Sequence, residues 1–139
     1  INRDLASGRL AFIAPNVHPC LGESATTISR KIHNGEYSSV AVVSAFLQQA
    51  RRVNKVLNAA VAWREELALK EAAEADMRIA AARAGTQTPL PPFLGVPCSV
   101  KEAIAVEGLQ LTSGLASRRT IPPSTEDATV SERCVKEGC

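Results

Sequence analysis

The stretch Pro92–Cys139 reads PFLGVPCSVKEAIAVEGLQLTSGLASRRTIPPSTEDATVSERCVKEGC, and the fold turns on how it is taken. Val96, Cys98 and Val100 recur at every second position, the period of a β-strand, so the sequence predicts a strand over Val96–Lys101. That alternation puts Ser99 and Lys101 together on the opposite side. A lysine at the end of such a strand has two readings. On a wet surface it is a charged terminus and nothing more. In a dry pocket, loss of hydration disfavours the ammonium, and the neutral amine can take a proton from a serine hydroxyl. Spacing alone leaves both open. Beyond Lys101 come Glu102, a glycine turn and a second loop, Thr112–Leu115, in which Gly114 permits an unusual turn close to other backbone.

Several blocks of this stretch follow one another in order: PFLGVP at 92–97, VKEA at 100–103, SGL at 113–115, Arg118–Arg119, and TEDATV at 125–130. Together they resemble the amidase-signature family of serine hydrolases, and within it the fatty-acid amide hydrolase 2 group. An ordered match over the whole stretch is far more specific than one short motif. The resemblance implies an α/β fold, here the N-terminal part of a mixed β-sheet core flanked by helices, with residues 1–139 as one partial domain. It also implies a Ser–Ser–Lys triad in which Lys101 is the lysine, acting through a bridging serine on the nucleophile. The family's two serines lie in a Gly/Ser-rich segment further downstream, outside residues 1–139. Neither Ser99 nor Ser113 is therefore assigned as nucleophile. Ser99 reads as a strand serine bonded to a neighbouring loop, and Ser113 as part of a positioning loop. In an extended chain Glu102 points away from Lys101, and it is expected to satisfy backbone donors or a cation rather than act as the base. Arg118 and Arg119 read as solvated loop residues.

Working outward, residues 1–22 form an irregular lead-in punctuated by Pro15, Pro19 and Gly22. A short helix is expected from Thr26 to Asn34, stopped by Gly35. Ser38 or Ser39 can cap the next helix, in which Val40, Val43, Leu47 and Ala50 recur at helical spacing as far as Val53. Alternating Val61 and Trp63 predict a short strand over Ala59–Trp63. The alanine-rich run Arg64–Ala84 predicts a long helix with Leu69, Ala73, Met77, Ala80 and Ala84 inward. Glu66–Lys70 and Glu74–Arg78 pairs are expected on its outer face. Finally, Ser124–Asp127 has the S-x-x-D form of a helix start, with Asp127 as the alternative cap, ahead of the apolar run Ala128, Val130, Cys134 and Val135.

At 45% hydrophobic and 22% charged, the 139-residue chain has the composition of a globular protein rather than of disorder. Its net charge of +2 is unclustered, so nothing points to nucleic acid as a partner. No glycine-rich loop stands between a strand and a helix, as a nucleotide site requires. Cys20, Cys98, Cys134 and Cys139 contain no CxxC, and together with His18 and His33 they lack the paired spacing of a zinc site. Cys98 and Cys134 read as small buried residues, and all four as reduced thiols in an intracellular setting. No stretch reaches the roughly 20 apolar residues of a membrane span. Some fatty-amide hydrolases carry a membrane anchor ahead of this region, so the resemblance leaves membrane association of a longer protein open.

The chain thus reads as the N-terminal portion of an amidase acting on a small-molecule amide, fatty-acyl or otherwise hydrophobic, with no metal or organic cofactor. Ile1 in the place of a methionine, and an end at Cys139 just after Gly138, fit a segment of a longer domain. Such a segment holds the base without nucleophile or oxyanion donors, and by itself is expected to be inactive. Two other readings stand beside this one. An amidotransferase of the A-subunit type hands ammonia to a partner, but the KEA and SGLxxRR patterns lean away from it. A truncated, non-catalytic paralogue would serve at most as an interaction module, and the downstream reading frame separates it from the enzyme.

Overall fold

The computed structural model describes residues 18–85 and 89–139. Among them run four α-helices: α1 (Ala25–His33), α2 (Ser39–Leu57), α3 (Glu65–Arg83) and α4 (Thr129–Lys136). Short 3-10 turns occupy Pro19–Gly22 and Ala116–Arg118. Most of the lead-in expected over residues 1–22 lies outside the described residues.

Each early helix starts where a serine can take an unpaired N–H. Ser24 Oγ accepts from the Thr27 N–H at 3.2 Å and starts α1. Ser38 Oγ accepts from the Ala41 N–H at 3.1 Å and starts α2. Such caps are each worth about 1 kcal/mol. Helix α1 buries Ile28 and Ile32, four residues apart on one face, and ends at Gly35, whose φ of 75° suits a residue without a Cβ. Ahead of it, Lys31 Nζ donates to Glu23 at 2.5 Å and to the Tyr37 hydroxyl at 3.2 Å, fastening the Pro19–Gly22 turn to the helix.

Helix α2 outlasts the sequence expectation. It passes Val53 and closes on Asn58, which takes the left-handed conformation at φ 48° and donates its N–H to Asn54 O. Its buried residues are Ser39, Val42, Val43 and Ala45, so only Val43 of the expected stripe lies in the core. Helix α3 runs back antiparallel to it. Arg51 pairs with Glu65 at the turn, and the Asp76 carboxylate accepts the N–H groups of Ser39 (2.6 Å) and Val40 (3.1 Å) at the other end.

The inward face of α3 is Ala72, Ala75 and Ile79, whereas Met77 of the expected stripe is 65% exposed. Seven alanines among its 19 residues leave the apolar pattern degenerate, and the bulky Ile79 sets the register. Lys70 pairs with Glu74 at 3.9 Å and Arg64 with Glu71 at 3.2 Å, in place of the expected pairs. Exposed pairs contribute only ~0.3–0.5 kcal/mol each, so the exchange changes little. The core joins Cys20, Ile28 and Ile32 to Val42, Ala45, Ala75 and Ile79, and is closed by Leu94 and Val96 from the following loop.

The mixed β-sheet is absent from the described residues, which hold helices and no strand. A strand exists only when a neighbour takes its backbone hydrogen bonds, and neither predicted segment has one. Over Ala59–Trp63, the Asn54 side chain supplies both bonds instead: its Oδ1 accepts from Ala60 N–H at 2.8 Å and its Nδ2 donates to Ala60 O at 2.9 Å. Over Val96–Lys101, Pro97 lacks the N–H that a ladder requires, and Val96 N–H is spent on a turn to Phe93 O.

The cap expected for the last helix is also corrected. Ala128 precedes α4 with no side-chain cap, while Asp127 Oδ1 accepts from Glu107 N–H at 2.8 Å across the loop. Val130 and Val135, read as part of an apolar face, are exposed, and the buried residue of α4 is Ser131, whose Oγ donates to Ala105 O.

Removing the Asp76 carboxylate leaves two helix-start donors unpaired, so Asp76→Ala is expected to cost about 1–2 kcal/mol in denaturant unfolding. Gly95→Ala should cost more. Its φ is 86° and an added Cβ would stand 2.8 Å from Ser39 Cβ, so strain of ~1–2 kcal/mol adds to a steric conflict. Met77→Ala serves as the control and should stay within about 0.5 kcal/mol.

Candidate active site

The segment that presents Lys101 begins at Gly95. Ser39 Oγ, fully buried at the start of α2, donates to Gly95 O at 2.8 Å. Gly95 N–H in turn donates to Gly138 O at 2.9 Å, and Phe93 N–H to Glu137 O at 3.0 Å. The segment is therefore held between the first turn of α2 and the end of α4. Past Val96 it emerges into solvent: Cys98, Ser99, Val100 and Lys101 are all exposed. Cys98 and Cys134 were expected to be buried. The first is exposed and the second half-buried, while Cys20 is the thiol in the core.

At Lys101 the chain turns. Lys101 O accepts from Ile104 N–H at 2.8 Å, and the turn aims Glu102 at a second loop. There the Glu102 carboxylate accepts from the Thr112 N–H and, at 2.7 Å, from Thr112 Oγ1. Ser113 (φ 52°) and Gly114 (φ 74°) sit in the left-handed region, which turns successive N–H groups to one side as a concave anion seat. The Thr112 hydroxyl foremost, followed by the backbone N–H groups of Thr112, Gly114 and Ser113, holds the Glu102 carboxyl below its usual range. Glu102 is thus a tie between two turns, as expected of a residue that satisfies backbone. Thr112, its main partner, was not singled out in the sequence; a hydroxyl beside a Ser-Gly pair was the available signal.

Further bonds fix the rest of the loop. Gln110 Nε2 donates to Ile121 O at 2.9 Å, and Gly108 and Leu109 exchange backbone bonds with Ser124. The structure brings the Lys101–Glu102 turn against Thr112–Gly114. Among the described residues it does not join Lys101 to Ser99 or Ser113 by a hydrogen bond. Nor do they enclose the dry pocket that lysine-base chemistry calls for, because Lys101 is exposed. A cleft of about 530 Å³ lies elsewhere, beside Trp63, Leu67 and Leu109. Among the described residues no cluster of His, Cys, Asp and Glu is arranged to hold a metal ion, and no helix is long and apolar enough to cross a membrane.

A family profile named Amidase matches residues 41–139, a span that contains Lys101 and both turns. The chain belongs to the amidase family. Fatty-acid amide hydrolase 2-B of Danio rerio is 38% identical over 85% of this chain and 23% of its own length. Human fatty-acid amide hydrolase 2 is 36% identical over 84% of this chain and 22% of its own. In Thioalkalivibrio sulfidiphilus, the A-type chain of the glutamyl-tRNA(Gln) amidotransferase is 35% identical over 81% of this chain and 22% of its own. The chain thus spans less than a quarter of the length of these curated relatives. A chain from a vestigial protein complex that bears on the origins of an s-triazine catabolic enzyme superposes with a TM-score of 0.75. It is 29% identical over 84% of this chain and 24% of its own.

Because the folded pKa of Glu102 lies below the unfolded one, its contribution is present above the unfolded value of about 4.3 and vanishes as pH falls through the folded value. Glu102→Gln should accordingly be less stable than the parent in urea at neutral pH, with the gap closing in acid. A gap that stays constant between neutral pH and about pH 3 would mean that the charge does not hold the turn.

Proposed function

We propose that a protein carrying this chain hydrolyses carboxamides, fatty-acyl or otherwise hydrophobic, with Lys101 as the general base of a Ser–Ser–Lys triad. One observation carries the reading. The amidase match runs through Lys101, and Lys101 is the exposed cation on a turn fixed on both sides, by Gly95 before it and by Glu102 after it. A base must be held still and still be reachable by the group it deprotonates. An exposed lysine on this chain can be closed over by other parts of a longer protein, and removal from water would then favour its neutral form.

In that setting Lys101 Nζ takes a proton from a bridging serine, which takes one from the nucleophilic serine as it attacks the amide carbon. Lys101 then returns the proton to the leaving nitrogen through the same serine. Water resolves the acyl-serine by the reverse relay. Charge on the oxyanion is met by donors outside the described residues. No metal or organic cofactor has a part in these steps, and free thiols fit an intracellular setting. The fatty-acid amide hydrolase 2 relatives support the hydrophobic substrate class. A second reading, a protein that releases ammonia to a partner, is supported by the amidotransferase relatives at 28–40% identity. Turnover of a fatty-acyl amide by the purified protein without a partner favours the first.

Kinetics on the full-length protein test the assignment of roles. Lys101→Ala should lower kcat by about 10²–10⁴-fold or more, since it removes base and acid together. Lys101→Arg should not restore it, because a guanidinium stays protonated. Glu102→Gln should reduce stability or yield with a smaller effect on turnover. Near-normal turnover by Lys101→Arg beside a dead Glu102→Gln would reverse the roles.

A further inference from the structure

Trp63 stands in the turn between α2 and α3 and lines two open clefts, outside any role described above. One, of about 800 Å³, is lined from α2 by Arg51, Arg52 and Lys55. Arg51 and Arg52 stand four and three positions before Lys55, so the three share one face of the helix. The other, of about 530 Å³, is lined by Leu67 and Leu109 and by the acidic residues Glu65, Glu66 and Glu107. The turn that carries the indole is fixed. Asn54 holds the N–H and the carbonyl of Ala60 at 2.8 and 2.9 Å, and Arg51 pairs with Glu65. Arg64, on the acidic side, is spent on Glu71. Among the described residues, Lys55 on one side of Trp63 and Glu66 and Glu107 on the other are exposed, and their side chains make no ion pair. The same turn gathers apolar surface. Of the ten exposed large hydrophobics among the described residues, five fall in this turn and its flanks: Val56, Leu57, Val61, Trp63 and Leu67. Exposed apolar surface concentrated in this way and rimmed by charge marks a contact with another surface.

We propose that this turn is a homodimer interface, on which a second copy of the chain docks about a two-fold axis at Trp63. The placement of charge selects the partner. Cations lie to one side of the indole and carboxylates to the other. A half-turn about an axis through Trp63 therefore sets Lys55 of each copy against Glu66 and Glu107 of the other, and every contact is made twice. The two indoles meet at the centre, where interfaces place the aromatic anchors that carry most of their binding energy. Open clefts suit such a partner better than a small ligand, which needs most of its surface enclosed. The interface does not depend on the role given to Lys101.

Charge reversal on the full-length protein tests this by analytical ultracentrifugation over a range of micromolar concentrations. The parent should show a concentration-dependent dimer. Lys55→Glu and Glu66→Lys each set like charges against one another at two symmetric places, and each should weaken association by about tenfold or more. Both positions are exposed, so the fold should tolerate either change. Mixing the two variants, or combining both substitutions in one chain, brings opposite charges back together and should return association to near the parent level. A change that merely disturbed the fold would not be repaired in this way. The proposal is overturned by a parent that stays monomeric, including one in which other parts of a longer chain cover Trp63. It is overturned equally by single variants that associate as the parent does, as a dimer built on another face would, or by a double variant no better than either single one. These outcomes are read from mass and not from turnover, so a failed amidase assay leaves them unaffected.

Discussion

Asp76 reaches from α3 to the first turn of α2, where its two oxygens take the N–H groups of Ser39 and Val40. Those donors have no partner inside the helix, and an anion at a helix start also meets the positive end of the dipole. Because the carboxylate satisfies the Ser39 backbone, the Ser39 hydroxyl is left to hold Gly95 O. Gly95 N–H then passes the tie to Gly138 O, at the end of α4. One acidic side chain therefore begins a relay of bonds that links α3, α2, the loop and α4. Each link is worth about 1 kcal/mol net, more than the ~0.3–0.5 kcal/mol of an exposed ion pair. This is why the rearranged charge pairs along α3 leave the architecture unaffected.

The relay also explains why glycine stands at position 95. A side chain there would meet Ser39 Cβ at 2.8 Å, so the approach of loop to helix exists only without one. From that fixed point to the turn at Lys101 the chain has few residues and no ladder. Order returns at Glu102, seated on the Thr112–Gly114 turn. The exposed stretch Cys98–Lys101 is a short span between two posts. Its position is set by what holds the posts, and pairing plays no part.

What the sequence made legible follows from how local each signal is. Ser38 and Gly35 act within one turn of themselves, and the helix start and stop they mark were readable directly. The ordered blocks through Lys101 were likewise sufficient for the family. Strands are not local. Val96, Cys98 and Val100 alternate correctly, but no partner lies beside them among the described residues and Pro97 withholds a donor. Faces of alanine-rich helices are not local either, since an alanine fits inside or outside and only packing against α2 decides. The Asp76 bond joins residues far apart in sequence, and an aspartate in mid-helix gives no sign of the turn it will cap. Cys98 and Cys134 were misjudged for the same reason: an apolar run predicts burial only where something covers it.

Lys101 and Glu102 are neighbours with opposite chemical prospects. A general base must keep a lone pair available and hold its proton affinity near the working pH. Glu102 Oε1 accepts from the Thr112 hydroxyl and N–H, which stabilise the carboxylate and weaken it as a base. Using it as a base would also require breaking the tie that positions the turn. Lys101 carries no such duty, since among the described residues only its backbone carbonyl is engaged, by Ile104 N–H. On the proposal that Lys101 is the base, the tie made by Glu102 is consistent with leaving the proton transfers to Lys101. The same turn that fixes the glutamate holds the Lys101 backbone, through its carbonyl, at a constant place relative to the core.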